Sequence, residues 1–282
     1  MKGIIAFAAI VLMLFSGCFE EMEEKSEAEG GEKTEETVQI AENDSNRELS
    51  LITIYDNYEG IPGLRTDWGF SCLVKTQNGN ILFDTGGNAE ILLSNMEKLN
   101  IKPGEIDSIV LSHIHGDHTG GLFGVLEINS DLNVFVSASF PQEFKERIKS
   151  RGASVTEVSG PAKVSGNALS TGELGLSIKE QSLIVRTRKG LVVVTGCAHP
   201  GIVKIIEKAK EATGEKVFLV MGGFHLLGKS ETEIKGIVQK FRELGVERIA
   251  PSHCSGDLAR EMLRQEYGEK FIENGTGKVI NI

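Results

Sequence analysis

The sequence predicts a single α/β domain spanning residues 49–282, and three observations support this prediction. Short apolar runs rich in β-branched residues alternate with stretches in which apolar residues recur at helical spacing. A segment of this length can bury one large hydrophobic core. All six histidines follow predicted strands directly, and the loops after strands gather at one edge of a layered α/β domain. We therefore expect one functional edge that carries the histidines.

The first half of the domain is predicted to contain five strands and three helices. Asn78-Gly79 is a strong signal for a two-residue turn, so the second and third strands are expected to form a hairpin. The first helix is amphipathic, and Pro141 occupies the first turn of the third helix. The predicted strands cover residues 49–55, 70–76, 80–84, 106–111 and 134–136, and the helices cover 89–99, 121–128 and 141–150.

The second half begins with residues 151–182, which are rich in glycine and serine and are predicted to form weak strands and loops. A second hairpin is expected across Lys189-Gly190, between strands 183–187 and 191–195. Ser230 is predicted to cap a helix, with Glu233 completing a capping box. The remaining predicted strands cover residues 217–221, 248–250 and 278–282, and the helices cover 202–212, 230–244 and 256–265.

Residues 1–18 resemble the signal peptide of a lipoprotein. Lys2 is a short positive region, residues 4–15 are an apolar core, and Ser16-Gly17-Cys18 is a small-residue cleavage site. The apolar span is too short for a typical transmembrane helix. Cleavage would leave Cys18 as a lipid-modified first residue, which would anchor an exported protein to the outer face of the cytoplasmic membrane. An uncleaved N-terminal anchor is the alternative, and both interpretations place the domain outside the cytoplasm.

Residues 19–48 are predicted to be a disordered acidic linker, because they hold twelve acidic residues against three basic ones. This segment accounts for nearly all of the formal net charge of −10. From Leu49 onward, 28 acidic residues face 26 basic ones, so the domain is nearly neutral and nothing indicates nucleic-acid binding. The spacing of Cys72, Cys197 and Cys254 does not suggest a disulfide framework.

The strongest functional signal lies between Ser112 and Gly121. His113, His115, Asp117 and His118 fall within six residues, and imidazole and carboxylate groups are the ligands of zinc, iron and manganese. Three glycines in this segment indicate a loop rather than a helix. A polar surface loop is the alternative, but no structural need clusters these residues between glycines. The segment therefore predicts a site for one or two divalent metal ions, with zinc favoured over iron or manganese.

The H-x-H-x-D-H pattern of this segment, together with Leu82-Phe83-Asp84-Thr85-Gly86, resembles the metallo-β-lactamase-fold superfamily. The resemblance implies an αββα sandwich with a one- or two-metal site at one edge. Its members are mostly hydrolases that use a metal-bound hydroxide. The resemblance further implies that His113 and His115 bind one metal, and that Asp117 and His118 bind the second.

Each metal needs a further ligand from a later segment. His253 stands where the superfamily has its last ligand. Most members carry a G-H-T-x-G segment, and later a T-G-D segment whose Asp bridges both metals. This chain lacks the first and has Thr195-Gly196-Cys197 in place of the second. Either His199 is the ligand and Cys197 is a small residue at a strand end, or the Cys197 thiolate replaces the bridging Asp. The first alternative is favoured.

Five residues are given further roles. Asp84 is predicted to accept a hydrogen bond from a ligand histidine and so to fix its tautomer. His225 is predicted to be a substrate-facing acid or hydrogen-bond donor, and Asp117 is predicted to accept a proton as well as to bind metal. Trp68 could line the pocket or belong to the core, as could Phe70.

Three later motifs, 195–201, 222–225 and 251–254, resemble one branch of the superfamily. That branch includes proteins labelled 7,8-dihydropterin-6-methyl-4-(β-D-ribofuranosyl)aminobenzene-5′-phosphate synthase, which are linked to methanopterin biosynthesis. The predicted function is attack by a metal-bound hydroxide on a small-molecule ester, phosphoester or lactone. The first alternative is a synthase-like transferase. The second is a lipid-anchored module that captures metal or another ligand without turnover.

Overall fold

The computed structural model describes residues 49–282. The predicted signal peptide (1–18) and acidic linker (19–48) lie outside the described residues. The strands are β1 (Ser50–Tyr55), β2 (Ser71–Thr76), β3 (Gly79–Phe83), β4 (Ser108–Val110), β5 (Asn133–Ser137), β6 (Ser154–Val158), β7 (Ala162–Ser165), β8 (Ala168–Ser170), β9 (Leu183–Thr187), β10 (Gly190–Thr195), β11 (Val217–Gly223), β12 (Arg248–Ser252) and β13 (Val279–Asn281). The α-helices are α1 (Ala89–Lys98), α2 (Gly116–Thr119), α3 (Leu122–Ile128), α4 (Gln142–Ser150), α5 (Ile202–Thr213), α6 (Glu231–Glu243) and α7 (Asp257–Tyr267).

The strands pair into two sheets. The first sheet has the order β13-β1-β2-β3-β4-β5-β6, and the second has the order β12-β11-β10-β9-β8-β7. The two predicted hairpins are present as the antiparallel pairs β2–β3 and β9–β10. Beyond these hairpins, β3 to β6 run parallel to one another, and β10 to β12 also run parallel. Each sheet therefore contains a parallel half in which successive strands end at the same edge.

The two sheets pack face to face. Their facing surfaces form one core of buried residues, in which Val74 and Phe83 of the first sheet meet Val192 and Leu219 of the second. Strands buried on both faces read as continuous apolar runs, which explains the sequence Leu191 to Val194 in β10. Burial of this apolar surface is the main source of stability for the sandwich.

Helices cover both outer faces. The first sheet packs against α1, α3 and α4, and the second packs against α5, α6 and α7. Each of these helices buries one apolar stripe, as Ile202, Ile205, Ile206 and Ala209 do in α5. The layer order is helix, sheet, sheet, helix, which confirms the predicted αββα sandwich. In the described part of the chain, no helix has the length and apolar character needed to cross a membrane.

Local signals account for several element ends, segment 151–182 forms short strands and loops as predicted, and one region departs from expectation. Ser230 caps α6 and forms the predicted capping box with Glu233. The poorly patterned segment 151–182 contains three short strands, β6, β7 and β8. The prediction that glycines keep the histidine-rich segment out of a helix is wrong for Gly116–Thr119, which forms α2. There the backbone N–H groups of His118 and Thr119 both donate to the His115 carbonyl, which is enough for one turn.

Candidate metal centre

The ends of parallel strands bring the predicted site residues to one edge. Asp84 follows β3, and the segment from His113 to His118 follows β4. Cys197 and His199 follow β10, His225 follows β11, and His253 follows β12. His118 lies in α2 and His253 begins a 3-10 turn, so the expectation that all six histidines lie in loops is wrong for these two.

Two groups of potential ligand atoms lie at this edge, and the atoms of each group are within 4.8 Å of one another. We call His113, His115 and His199 the three-histidine group. We call Asp117, His118, Cys197 and His253 the mixed group. The rings of His113 and His118 connect the two groups, with centroids 4.2 Å apart. Cys197 and His199 were alternatives in the sequence, but the structure places one in each group.

Asp84 is buried and orients one histidine of each group. Its Oδ2 lies 2.7 Å from His118 Nδ1, and the same oxygen accepts a hydrogen bond from Ser112 Oγ at 2.7 Å. Ser112 Oγ lies 2.9 Å from His113 Nδ1. In the neutral rings that metal binding requires, these contacts place the proton on Nδ1. The Nε2 lone pairs of His113 and His118 are then free to bind metal.

Two other segments, which carry Cys197 and His253, complete the mixed group. His118 Nε2 lies 3.2 Å from Cys197 Sγ, and Asp117 Oδ2 lies 3.4 Å from His253 Nε2. Asn57 Oδ1, 3.1 Å from His253 Nδ1, orients this third ring as Asp84 orients His118. The His253 ring also packs against Trp68, whose ring centroid is 4.7 Å away. Trp68 therefore borders the site, whereas Phe70 belongs to the core between the sheets.

Glu180 holds the segment that carries Cys197 and His199. Its Oε1 accepts hydrogen bonds from the backbone N–H groups of Cys197 and Ala198 at 3.0 and 2.8 Å. Its Oε2 accepts a hydrogen bond from the His199 N–H at 2.8 Å. Glu180 is fully buried, and burial raises its pKa to about 7 against the opposing effect of these hydrogen bonds. Sequence reasoning missed this role of Glu180, because residues 151–182 show no clear periodicity.

Backbone strain is concentrated at this edge. Asp84, Ala198, His225 and His253 all have φ between 47° and 64°, in the left-handed region that non-glycine residues rarely adopt. Such conformations persist only where the surrounding structure imposes them, and they cluster at functional sites. The strained positions lie at or beside potential ligands, so the fold maintains this geometry at a cost in stability.

Burial and neighbouring charged groups shift the pKa values of the site residues at this edge. Burial lowers the pKa of His118, but Asp84 and Asp117 outweigh it and raise this pKa to about 9. Burial and the neighbouring His118 and His199 hold the pKa of His113 well below its usual value. Burial and the charge on His225 lower the pKa of His199 to about 4. Burial raises the pKa of Asp117, but the hydrogen bond from His253 and the charge on His118 hold it well below the usual range.

The donor set fits divalent metal ions. Imidazole nitrogens of the three-histidine group converge without a carboxylate among them, and His113 Nε2 lies 3.1 Å from His115 Nδ1. The buried His199 Nε2 has no hydrogen-bond partner among the described residues. A buried polar atom without a partner is costly, and metal coordination would satisfy it. The thiol of Cys197 gives the mixed group a softer ligand, which favours zinc.

Gly121 gives a test of how closely this edge is packed. A Cβ atom there would lie 2.2 Å from the Thr85 carbonyl oxygen, so Gly121→Ala must move one backbone against another. We expect a loss of about 1–3 kcal/mol in the free energy of unfolding, measured by urea denaturation. Gly116→Ala in the same segment is the control, because nothing lies within 4 Å of its added methyl group. Equal stabilities of the two variants would contradict this packing.

Comparisons with known proteins agree with the fold. A protein-family model described as "Metallo-beta-lactamase superfamily" matches residues 69–149. The chain is 32% identical to 7,8-dihydropterin-6-methyl-4-(beta-D-ribofuranosyl)-aminobenzene-5'-phosphate synthase of Methanocaldococcus jannaschii, over 82% of this chain and 96% of that protein. The crystal structure of Tm1679, described as a metal-dependent hydrolase of the beta-lactamase superfamily, superposes with a TM-score of 0.70 at 28% identity, covering 82% of this chain and 98% of that one. Human tRNase Z, short form, shares the fold with a TM-score of 0.56 at 15% identity, covering 82% of this chain and 98% of that one.

Proposed function

Because the chain belongs to the metallo-β-lactamase superfamily, we propose that it is a metal-dependent enzyme acting on a small molecule. The observation that carries the proposal is the pair of adjoining ligand groups at one sheet edge. The three-histidine group would hold one divalent ion and the mixed group a second. Bound ions would supply a Lewis acid and lower the pKa of a bound water to about 7.

The protein side chains have distinct tasks in this proposal. Asp84 and Asn57 fix the orientation of ligand rings, as their hydrogen bonds indicate. Asp117 is partly exposed and sits between His118 and His253, so its carboxylate can bind metal and accept a proton from the reacting group. His225 is exposed beside His199, with ring centroids 4.5 Å apart, and would donate a hydrogen bond to the substrate.

The reaction that we favour is hydrolysis of a small-molecule ester, phosphoester or lactone. A cavity of about 480 Å³ adjoins the three-histidine group and is bordered by both His199 and His225. Its wall combines apolar residues such as Phe224 with the charged residues Lys204, Lys229 and Glu207, and Lys229 forms an ion pair with Glu233. The similarity to a metal-dependent hydrolase is consistent with this reaction.

A transferase of the synthase type is the second candidate. It is supported by the 32% identity to the archaeal synthase, which extends over 96% of that protein. Both candidates use the same metal groups, so the substrate distinguishes them. A panel of phosphodiester, thioester, lactone and pterin substrates, assayed with the metal-loaded protein, would separate them. Turnover of a phosphoester with water favours the hydrolase, and C–N bond formation on a pterin favours the synthase.

Capture of metal or another ligand without turnover is the third candidate. A protein that only captures metal requires no open coordination position. Here the mixed group and the cavity both reach solvent through partly exposed residues, which argues against capture. A protein that binds metal tightly but turns over none of the panel would favour capture.

His115→Ala tests the metal site directly. This change removes one imidazole of the three-histidine group, so we expect metal affinity to fall by more than roughly 100-fold, beyond the loss typical of an outer hydrogen-bonding partner. Thermal stability should fall with it, because metal binding is coupled to folding. Metal content by elemental analysis and the unfolding midpoint are the measurements. Glu127→Ala, on the exposed face of α3, should alter neither, and full metal content and activity in His115→Ala would contradict the proposal.

A further inference from the structure

A third cluster of potential ligands lies beside the two metal groups. Cys197, His225 and Cys254, which we call the thiol group, have ligand atoms within 4.8 Å of one another. They follow the ends of β10, β11 and β12, three adjacent parallel strands. His225 and Cys254 belong to neither of the other groups, whereas Cys197 is shared with the mixed group.

The fold keeps the two thiols close together. Both are buried and both are free cysteines. The Cys254 thiol donates a hydrogen bond to the Cys197 carbonyl oxygen at 3.4 Å. Gly223 makes room for this thiol, because a Cβ atom at that position would lie only 2.7 Å from Cys254 Sγ. The exposed His225 lies on the solvent side of the group, so an ion could enter there.

We propose that Cys197, His225 and Cys254 form a third metal site, which binds a thiophilic divalent ion such as Zn²⁺ and leaves its fourth position to solvent. Two thiolates and one imidazole are a soft donor set that zinc accepts in tetrahedral geometry. The Cys197 thiolate would bridge this ion and the ion of the mixed group.

The third ion and the hydrogen-bonding role of His225 are compatible. An imidazole that binds metal through one ring nitrogen carries its proton on the other. The second nitrogen can therefore still donate a hydrogen bond toward the cavity that His225 borders. The third site thus extends the proposed metal centre, and its existence does not depend on the reaction catalysed.

The test uses two variants that spare the other groups. Cys254→Ser keeps a hydroxyl that can donate to the Cys197 carbonyl. His225→Asn keeps a residue that tolerates the φ of 53° at this position. The reduced full chain is stripped of metal and titrated with Co²⁺ without oxygen, while the thiolate-to-cobalt charge-transfer absorption and the bound equivalents are recorded. Each variant should bind one equivalent fewer than the unmodified protein, and Cys254→Ser should also lose part of the absorption.

The matched control is Cys72→Ser, since Cys72 is a buried thiol in the core between the sheets. It should keep every equivalent and the full absorption. The same stoichiometry and absorption in the unmodified protein, Cys254→Ser and His225→Asn would overturn the third site. Failure of the wider proposal is distinguishable from this result. Suppose that the three-histidine group and the mixed group bind no ion. His115→Ala then leaves the number of bound cobalt equivalents unchanged, whereas Cys254→Ser still removes the thiolate absorption that the third site produces.

Discussion

Asp84→Asn is expected to lower metal affinity by roughly 10- to 100-fold, although Asp84 itself binds no metal in this account. Asn tolerates the left-handed backbone at this position, where φ is 56°, so the fold should survive. In the unmodified protein the Ser112 N–H donates a hydrogen bond to Asp84 Oδ1 at 2.7 Å. The amide oxygen of the substituted side chain can still accept this hydrogen bond. The amide NH₂ would then face His118 Nδ1 and donate to it, which moves the ring proton to Nε2.

That tautomer blocks the nitrogen that faces Cys197 and Asp117. The loss should therefore fall mainly on the mixed group, with a smaller effect on His113 through Ser112. Calorimetric titration of the stripped protein with Zn²⁺ measures the change. Asp107→Asn is the control, because Asp107 is exposed and accepts a hydrogen bond from the Asn80 N–H that an amide oxygen can also accept. Equal affinities in the two variants would show that Asp84 does not set the tautomer.

Glu180→Ala is expected to destabilise the protein by about 3 kcal/mol or more. It leaves three backbone N–H groups, those of Cys197, Ala198 and His199, without their acceptor, and each unpaired buried donor costs about 1–3 kcal/mol. Ala198 is also held at a φ of 64°, which the unsupported segment would relax. Because this segment supplies one residue to each group, the affinities of both groups should fall together.

Urea denaturation and metal titration measure the two effects. Glu173→Ala is the matched control, because Glu173 lies in segment 151–182 like Glu180 and, among the described residues, accepts one exposed hydrogen bond, from the Ser139 N–H at 2.7 Å. Its cost should stay near or below about 1 kcal/mol. A Glu180→Ala protein that is as stable as Glu173→Ala and binds metal normally would contradict the role assigned to Glu180.

The sequence predicted most of the sandwich because its strands and helices carry strong local signals. The alternation of apolar runs placed the strands, and Asn78-Gly79 placed the first hairpin. The edge at which the histidines meet followed from the rule that loops after parallel strands gather together. The short helix α2 was missed, because one helical turn depends on a few backbone hydrogen bonds rather than on periodicity.

The assignment of residues to the site needed the three-dimensional structure. Cys197 and His199 are only two positions apart, so no spacing argument could place them in separate groups. Ala198, which lies between them, has a left-handed φ of 64°, and the two side chains enter different groups. Glu180 and Cys254 act through contacts between segments that are distant in the chain, and such contacts leave no local pattern.

The metal content of Cys197→Ser and His199→Ala tests the central claim most directly, because Cys197→Ser leaves the three-histidine group intact and His199→Ala leaves the mixed group intact. A serine hydroxyl stays protonated near neutral pH and is a poor metal ligand, so Cys197→Ser should lose the ion of the mixed group and keep that of the three-histidine group. His199→Ala should lose the ion of the three-histidine group and keep that of the mixed group. Elemental analysis counts the ions, and the charge-transfer absorption of cobalt-loaded protein identifies the group, since only the mixed and thiol groups contain thiolates. We expect the absorption to fall sharply in Cys197→Ser and to persist in His199→Ala. Full metal content in both variants would contradict the two-group metal centre.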